Sequence, residues 1–104
     1  MSETVSAARL DELSAPGSLP VVVKFFADWC GPCKMFAPVF DRAAAKLEGK
    51  AVFVSVDIDA EPALAEKFEV MNVPVIALLK DGELVKKHNG IMNENQLTAL
   101  VEEA

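Results

Sequence analysis

Cys30 and Cys33 are the only cysteines of this 104-residue chain, and just two residues separate them. Such a pair could be a structural staple, half of a metal site, or a thiol–disulfide couple. The staple is weak, because bridging near neighbours removes little chain entropy, roughly 2 kcal/mol for a four-residue loop before strain. A zinc site is poorly served as well. Two thiolates are half of a tetrahedral shell, and the sequence adds one histidine, His88, and no second cysteine pair. Thiol–disulfide exchange fits best.

The pair needs a rigid mount, and the flanking sequence offers one. Val21-Val22-Val23-Lys24-Phe25-Phe26-Ala27 is a β-branched and aromatic run, expected as a strand buried on both faces. A helix is expected from about Pro32 to Leu47, with Phe36, Phe40, Ala43 and Leu47 on one stripe and Gly49 as a stop. Cys30 then falls at the helix N-terminus, where the macrodipole and unpaired N–H groups stabilise a thiolate. Cys33 lies one turn further in, more shielded, and able to attack a sulfur held on Cys30. Pro32 removes an N–H that the first turn leaves unpaired anyway.

The remaining elements alternate. A first helix over about residues 7–15 is capped by Ser6 and carries Leu10 and Leu13 on one face. Ala51 to Val56 is a second buried strand. Asp59 is expected to cap a short helix with Leu64 and Phe68 as i, i+4 partners and Pro62 in its first turn. Val75 to Leu79 forms a third strand, and Asp81-Gly82 turns it back through Glu83 to Lys86 as a hairpin. Asn93 and Gln96 have the spacing of a capping box, opening a last helix that buries Leu97, Leu100 and Val101. This order predicts an α/β fold, parallel in its first half, with helices on both faces.

Composition narrows the function classes. Ten basic against sixteen acidic residues leave a formal charge of −6, which argues against a nucleic-acid binder. No apolar stretch approaches the ~18 residues of a membrane span. Met1-Ser2-Glu3-Thr4 lacks the basic-then-apolar order of a signal peptide, so a cytosolic chain with reduced thiols is expected. No repeat or linker interrupts residues 1–104, which are expected to form one domain. His88 is expected on the hairpin surface, and Asp57, Asp59 and Glu61 in capping instead of calcium binding. Met35, Met71 and Met92 are expected in core or rim packing, with a flexible thioether adapting to varied contacts as the second reading of Met71.

Trp29-Cys30-Gly31-Pro32-Cys33-Lys34 after a buried strand, Val73-Pro74 about forty residues on, and Gly82 and Gly90 beyond it together resemble the thioredoxin family along essentially the whole chain. The resemblance implies a thioredoxin fold, a five-stranded mixed β-sheet flanked by four α-helices, with an added edge strand near Thr4. It implies a cis Pro74 facing the cysteines. It also implies a docking surface of Trp29, Gly31, Pro32, Val73, Pro74 and Gly90 for protein disulfides. Pro38 matches the family's proline within the second helix. The implied chemistry is reduction of protein disulfides, with Cys30 as nucleophile and Cys33 as resolving thiol. A thioredoxin reductase is implied as the regenerating partner. No metal, bound organic cofactor, nucleic acid or membrane is required, and a monomer is expected.

Four positions depart from the family pattern. Lys24 stands where the family carries a buried Asp beneath the second cysteine, and Ser55 stands at the matching place on the next strand. Phe26 replaces a common Trp, and Val75 a common Thr. Lys24 has two readings. Its amine snorkels to water with no chemical role, or it stays near Cys33 as a third catalytic group that accepts a proton or stabilises thiolate. The second reading favours a more oxidising or partner-specific exchanger. A thioredoxin-fold scaffold subunit, and more remotely a zinc-bridged dimer, are the rivals from other classes.

Overall fold

The computed structural model describes residues 2–104. Nine elements follow in order: β1 (Glu3–Thr4), α1 (Ala7–Leu13), β2 (Val21–Phe26), α2 (Gly31–Lys46), β3 (Val52–Asp57), α3 (Pro62–Lys67), β4 (Val75–Lys80), β5 (Glu83–Asn89) and α4 (Glu94–Glu102). The strands form one mixed sheet ordered β1-β3-β2-β4-β5. β1, β3 and β2 run parallel, while β4 and β5 are antiparallel to their neighbours. This is the five-stranded sheet with four helices that the resemblance implies.

Strand periodicity sorts the core into two layers, since alternate residues face opposite sides. Val21, Val23 and Phe25 join Leu10 of α1 and Leu64 of α3 on one side. Val22 faces the other side, with Phe36, Phe40 and Ala43 of α2 and Leu97, Leu100 and Val101 of α4. Helices therefore cover both faces of the central strands, as their unbroken apolar runs require. Lys24 shares the α2 side with Val22. It is paired in register with Ser55 on β3 and Ile76 on β4.

Local signals set the ends. The Ser6 side chain accepts from Arg9 N at 3.2 Å, and Asn93 and Gln96 form a reciprocal capping box at 2.8 and 2.9 Å. Asp81 and Gly82 both have positive φ, the conformation a two-residue hairpin turn demands. α1 stops at Leu13, two residues earlier than expected, with Ser14 as its C-cap, whose N and Oγ both donate to Leu10 O. β5 runs three residues beyond the expected Lys86, through Lys87, His88 and Asn89. It is an edge strand with its side chains exposed or half-exposed, so no apolar alternation marks its length.

The expected Asp59 cap on α3 is not formed. Glu61 occupies the N-cap position without a capping side chain, and its carboxylate instead accepts from Ala7 N at 2.9 Å. The far end of α3 is held by Lys87, whose amine donates to Phe68 O and Glu69 O. Among the described residues no helix is long and apolar enough to cross a membrane.

Candidate functional site

The site grows from the β2–α2 junction. β2 is buried along nearly its whole length, and the backbone bond from Cys30 N to Ala27 O closes the turn into the helix. Cys30 is the N-cap of the 16-residue α2, and its sulfur accepts the Cys33 N–H at 3.2 Å. The sulfur thus occupies the place where capping oxygens sit, at the positive end of the helix. Pro32 lies in the first helical turn, where its missing N–H costs nothing. Pro38 lies inside α2 and leaves the Lys34 carbonyl without its helical partner.

Cys30 and Cys33 are joined by a disulfide, with Cα atoms 5.3 Å apart. Both are enclosed, Cys30 at 5% and Cys33 at 3% exposure, so the difference in shielding is slight. Opposite them runs Val73-Pro74, whose peptide bond is cis. Cys30 Sγ lies 3.7 Å from the Val73 carbonyl oxygen. Gly90 N donates to Pro74 O at 2.9 Å, which ties the loop after β5 to the same ridge.

The expected docking residues are brought together here in layers. Trp29, Gly31 and Pro32 are exposed, Val73 and Gly90 are half-buried, and Pro74 is buried beneath them. The Trp29 indole is fixed by a bond from Nε1 to Asp59 Oδ2 at 2.9 Å. Asp59 is therefore a support for the site, not a helix cap, and no local sequence signal marks that role. A groove of about 390 Å³ continues the surface between α2 and α4, lined by Pro32, Met35, Phe36, Val39, Ile91 and Met92.

Two of the three methionines depart from the packing expectation. Met35 is 81% and Met71 88% exposed, so neither packs in core or rim, whereas Met92 is buried. Both exposed thioethers belong to segments flanking the cysteines, where flexible apolar side chains adapt to different contacts. His88 is half-exposed, with Nε2 3.1 Å from Ile91 O. Among the described residues no group of three or more His, Cys, Asp or Glu side chains is placed to hold a metal ion.

Lys24 is 6% exposed and buried under α2. Its Nζ stands 5.1 Å from the Phe40 ring centroid and 5.5 Å from that of Phe26, within cation–π range of both. Burial pushes its amine below the ordinary lysine range, and the negative charge of Asp41 acts in the opposite sense. Ser55, its neighbour on β3, bonds through its hydroxyl to Ser2 Oγ at 2.9 Å.

A family model described as Thioredoxin matches residues 3–103. The thioredoxin of Staphylococcus saprophyticus is 44% identical over 81 residues, covering 78% of each chain. That of Staphylococcus aureus strain N315 is 43% identical over the same shares. The mitochondrial thioredoxin of Bos taurus is 46% identical over 82 residues, 79% of this chain and 49% of its own, so the chain spans about half of that relative. With a cysteine pair bonded at a helix N-terminus beside a cis proline, the chain belongs to the thioredoxin family and is a thiol–disulfide oxidoreductase.

Proposed function

We propose that this protein reduces disulfides of other proteins, with Cys30 as the attacking thiol and Cys33 as the resolving one. The observation that carries the reading is the position of Cys30 Sγ, capping α2 through the Cys33 N–H and bonded to Cys33 itself. In the dithiol form the same N–H and the helix dipole favour the Cys30 thiolate. That thiolate attacks one sulfur of a substrate disulfide, and the other sulfur leaves as a thiolate and takes up a proton. Cys33 then loses its proton and attacks Cys30 Sγ. The bond between Cys30 and the substrate breaks, the substrate leaves fully reduced, and the protein is left two electrons oxidised as the Cys30–Cys33 disulfide.

Trp29, Gly31, Pro32, Val73, Pro74 and Gly90 form the surface on which the substrate chain lies in this reading. Trp29 is exposed beside Cys30, and Val73 O lies 3.7 Å from Cys30 Sγ, so a docked segment would meet both. A reductase of the thioredoxin-reductase kind restores the dithiol. The working compartment is a reducing one, which we assign to the cytosol, and enrichment in a mitochondrial fraction on cell fractionation would contradict that assignment.

The test is release of thiols from a disulfide-linked polypeptide such as insulin, with dithiothreitol recycling the protein. The expected result is catalytic acceleration over dithiothreitol alone, lost in Cys30→Ser. A rate no greater than that of dithiothreitol, from folded protein with a reducible Cys30–Cys33 bond, would overturn the proposal and favour a scaffold role.

A further inference from the structure

Three polar or charged residues are buried among the described ones: Ser14, Ser55 and Lys24. Ser14 Oγ donates to Leu10 O, and Ser55 Oγ pairs with Ser2 Oγ. Lys24 Nζ alone has no hydrogen-bond partner among the described residues, yet it is not a sealed, unsatisfied atom. Lys24 shares a cleft of about 170 Å³ between β2 and the first turns of α2 with Phe26, Asp28, Cys33, Lys34 and Ala37. That volume accommodates water between the Lys24 and Cys33 side chains that line it.

The helix explains why the cleft exists. Cys33, Ala37 and Asp41 recur at intervals of four on α2 and so share one stripe. The small Ala37 side chain leaves room, between the resolving thiol and a carboxylate, for the long side chain rising from β2. The rings of Phe26 and Phe40 flank the amine and hold it without saturating its hydrogen-bonding capacity.

We propose that Lys24 is the proton acceptor for Cys33: its neutral amine takes the Cys33 thiol proton, directly or through water in the cleft, as the mixed disulfide on Cys30 is resolved. This rests on Cys33 being the resolving thiol. The Cys33 thiolate then forms the bond to Cys30 Sγ, and the electron pair of the Cys30–substrate bond leaves with the substrate sulfur. The proton on Lys24 passes to that sulfur or to solvent through the cleft. Two electrons move from the dithiol to the substrate, and no further reductant is needed within the turnover.

The electrostatic surroundings support the assignment. Burial depresses the Lys24 amine and so raises its neutral fraction, while Asp41 opposes this. The other charged groups at the cleft are Lys34 on α2 and Asp28 just before it. On β3 the register partner of Lys24 is the neutral Ser55, and Asp57, opposite Phe26, follows on the same face, while β4 presents the apolar Ile76. Once formed, the ammonium stabilises the Cys33 thiolate. By linkage, Lys24 must then hold its proton to higher pH when that thiolate is present than when the disulfide is closed.

Two measurements test this. In a Cys30→Ala background Cys33 is the sole thiol, and its alkylation rate against pH reports its ionisation without any substrate. Adding Lys24→Met, which keeps an apolar stem of similar length, should move that profile upward by about one pH unit, an approximately tenfold slower alkylation near neutrality. In the unsubstituted protein, the Lys24 13Cε resonance should titrate at higher pH in the reduced form than in the oxidised form. An unmoved Cys33 profile, or one Lys24 titration common to both redox states, would overturn the assignment. Neither readout involves a substrate protein, so failure here is distinct from failure to reduce insulin.

Discussion

Cys33→Ser should convert a turnover catalyst into a trap. The first exchange needs only Cys30, so the variant should form a mixed disulfide with substrate and stop there, because a hydroxyl cannot displace the bound sulfur. Multiple-turnover reduction should fall by about 1,000-fold or more, the scale on which catalysis collapses when one member of a group acting as a unit is lost. Intact-mass measurement under non-reducing conditions would show protein plus substrate joined through Cys30. Cys30→Ser should show neither adduct nor turnover. The asymmetry follows from position: Cys30 caps α2, while Cys33 sits one turn inside it. Near-normal turnover in Cys33→Ser would contradict the assigned order of attack.

Phe40→Ala should bring the largest loss of stability, about 3–5 kcal/mol, the usual cost of emptying a fully buried aromatic site. Phe40 is 0% exposed, with ring centroids 5.7 Å from Phe36 and 5.1 Å from Phe53. It joins α2 to β3 on the side of the sheet that carries the cysteines. For a domain whose whole stability is of the order of 5–15 kcal/mol, that is a large share. The cost has a second source, because the Phe40 face also meets Lys24 Nζ at 5.1 Å and the truncation removes that cation–π contact. Denaturant unfolding of the oxidised protein would read the change. A loss below about 1 kcal/mol would contradict the packing described, since it is what removing a single buried methyl group costs.

Much of this fold is legible in the amino-acid sequence, for physical reasons that differ from residue to residue. The α2 stripe of Phe36, Phe40, Ala43 and Leu47 is visible because burial follows helical spacing. Ser6 and the Asn93–Gln96 pair are visible because capping is a contact between near neighbours in the chain. Lys24 stands out as a charge in an apolar strand, and it is indeed buried there. The cis Val73–Pro74 bond and the short β1 follow only from the family resemblance, since two exposed residues carry no periodic signal.

What the sequence hides is mostly tertiary. Asp59 reaches back thirty residues to Trp29, and nothing near it in the chain distinguishes that contact from a helix cap. Met35 and Met71 have apolar side chains that local pattern assigns to packing, yet both face solvent. The Lys24–Cys33 cleft depends on Ala37 being small at the right turn of α2, a relation that only the strand–helix crossing creates.

The most direct test of the account is the equilibrium reduction potential of the Cys30–Cys33 couple. It can be read from Trp29 fluorescence in graded dithiol buffers, with thiol labelling as a check. A protein-disulfide reductase is expected near the roughly −270 mV characteristic of thioredoxins, lifted somewhat by the ammonium of Lys24 beside the Cys33 thiolate, and still clearly below about −180 mV. A potential at or above about −180 mV, the range of isomerases and oxidants, would contradict the reductase reading.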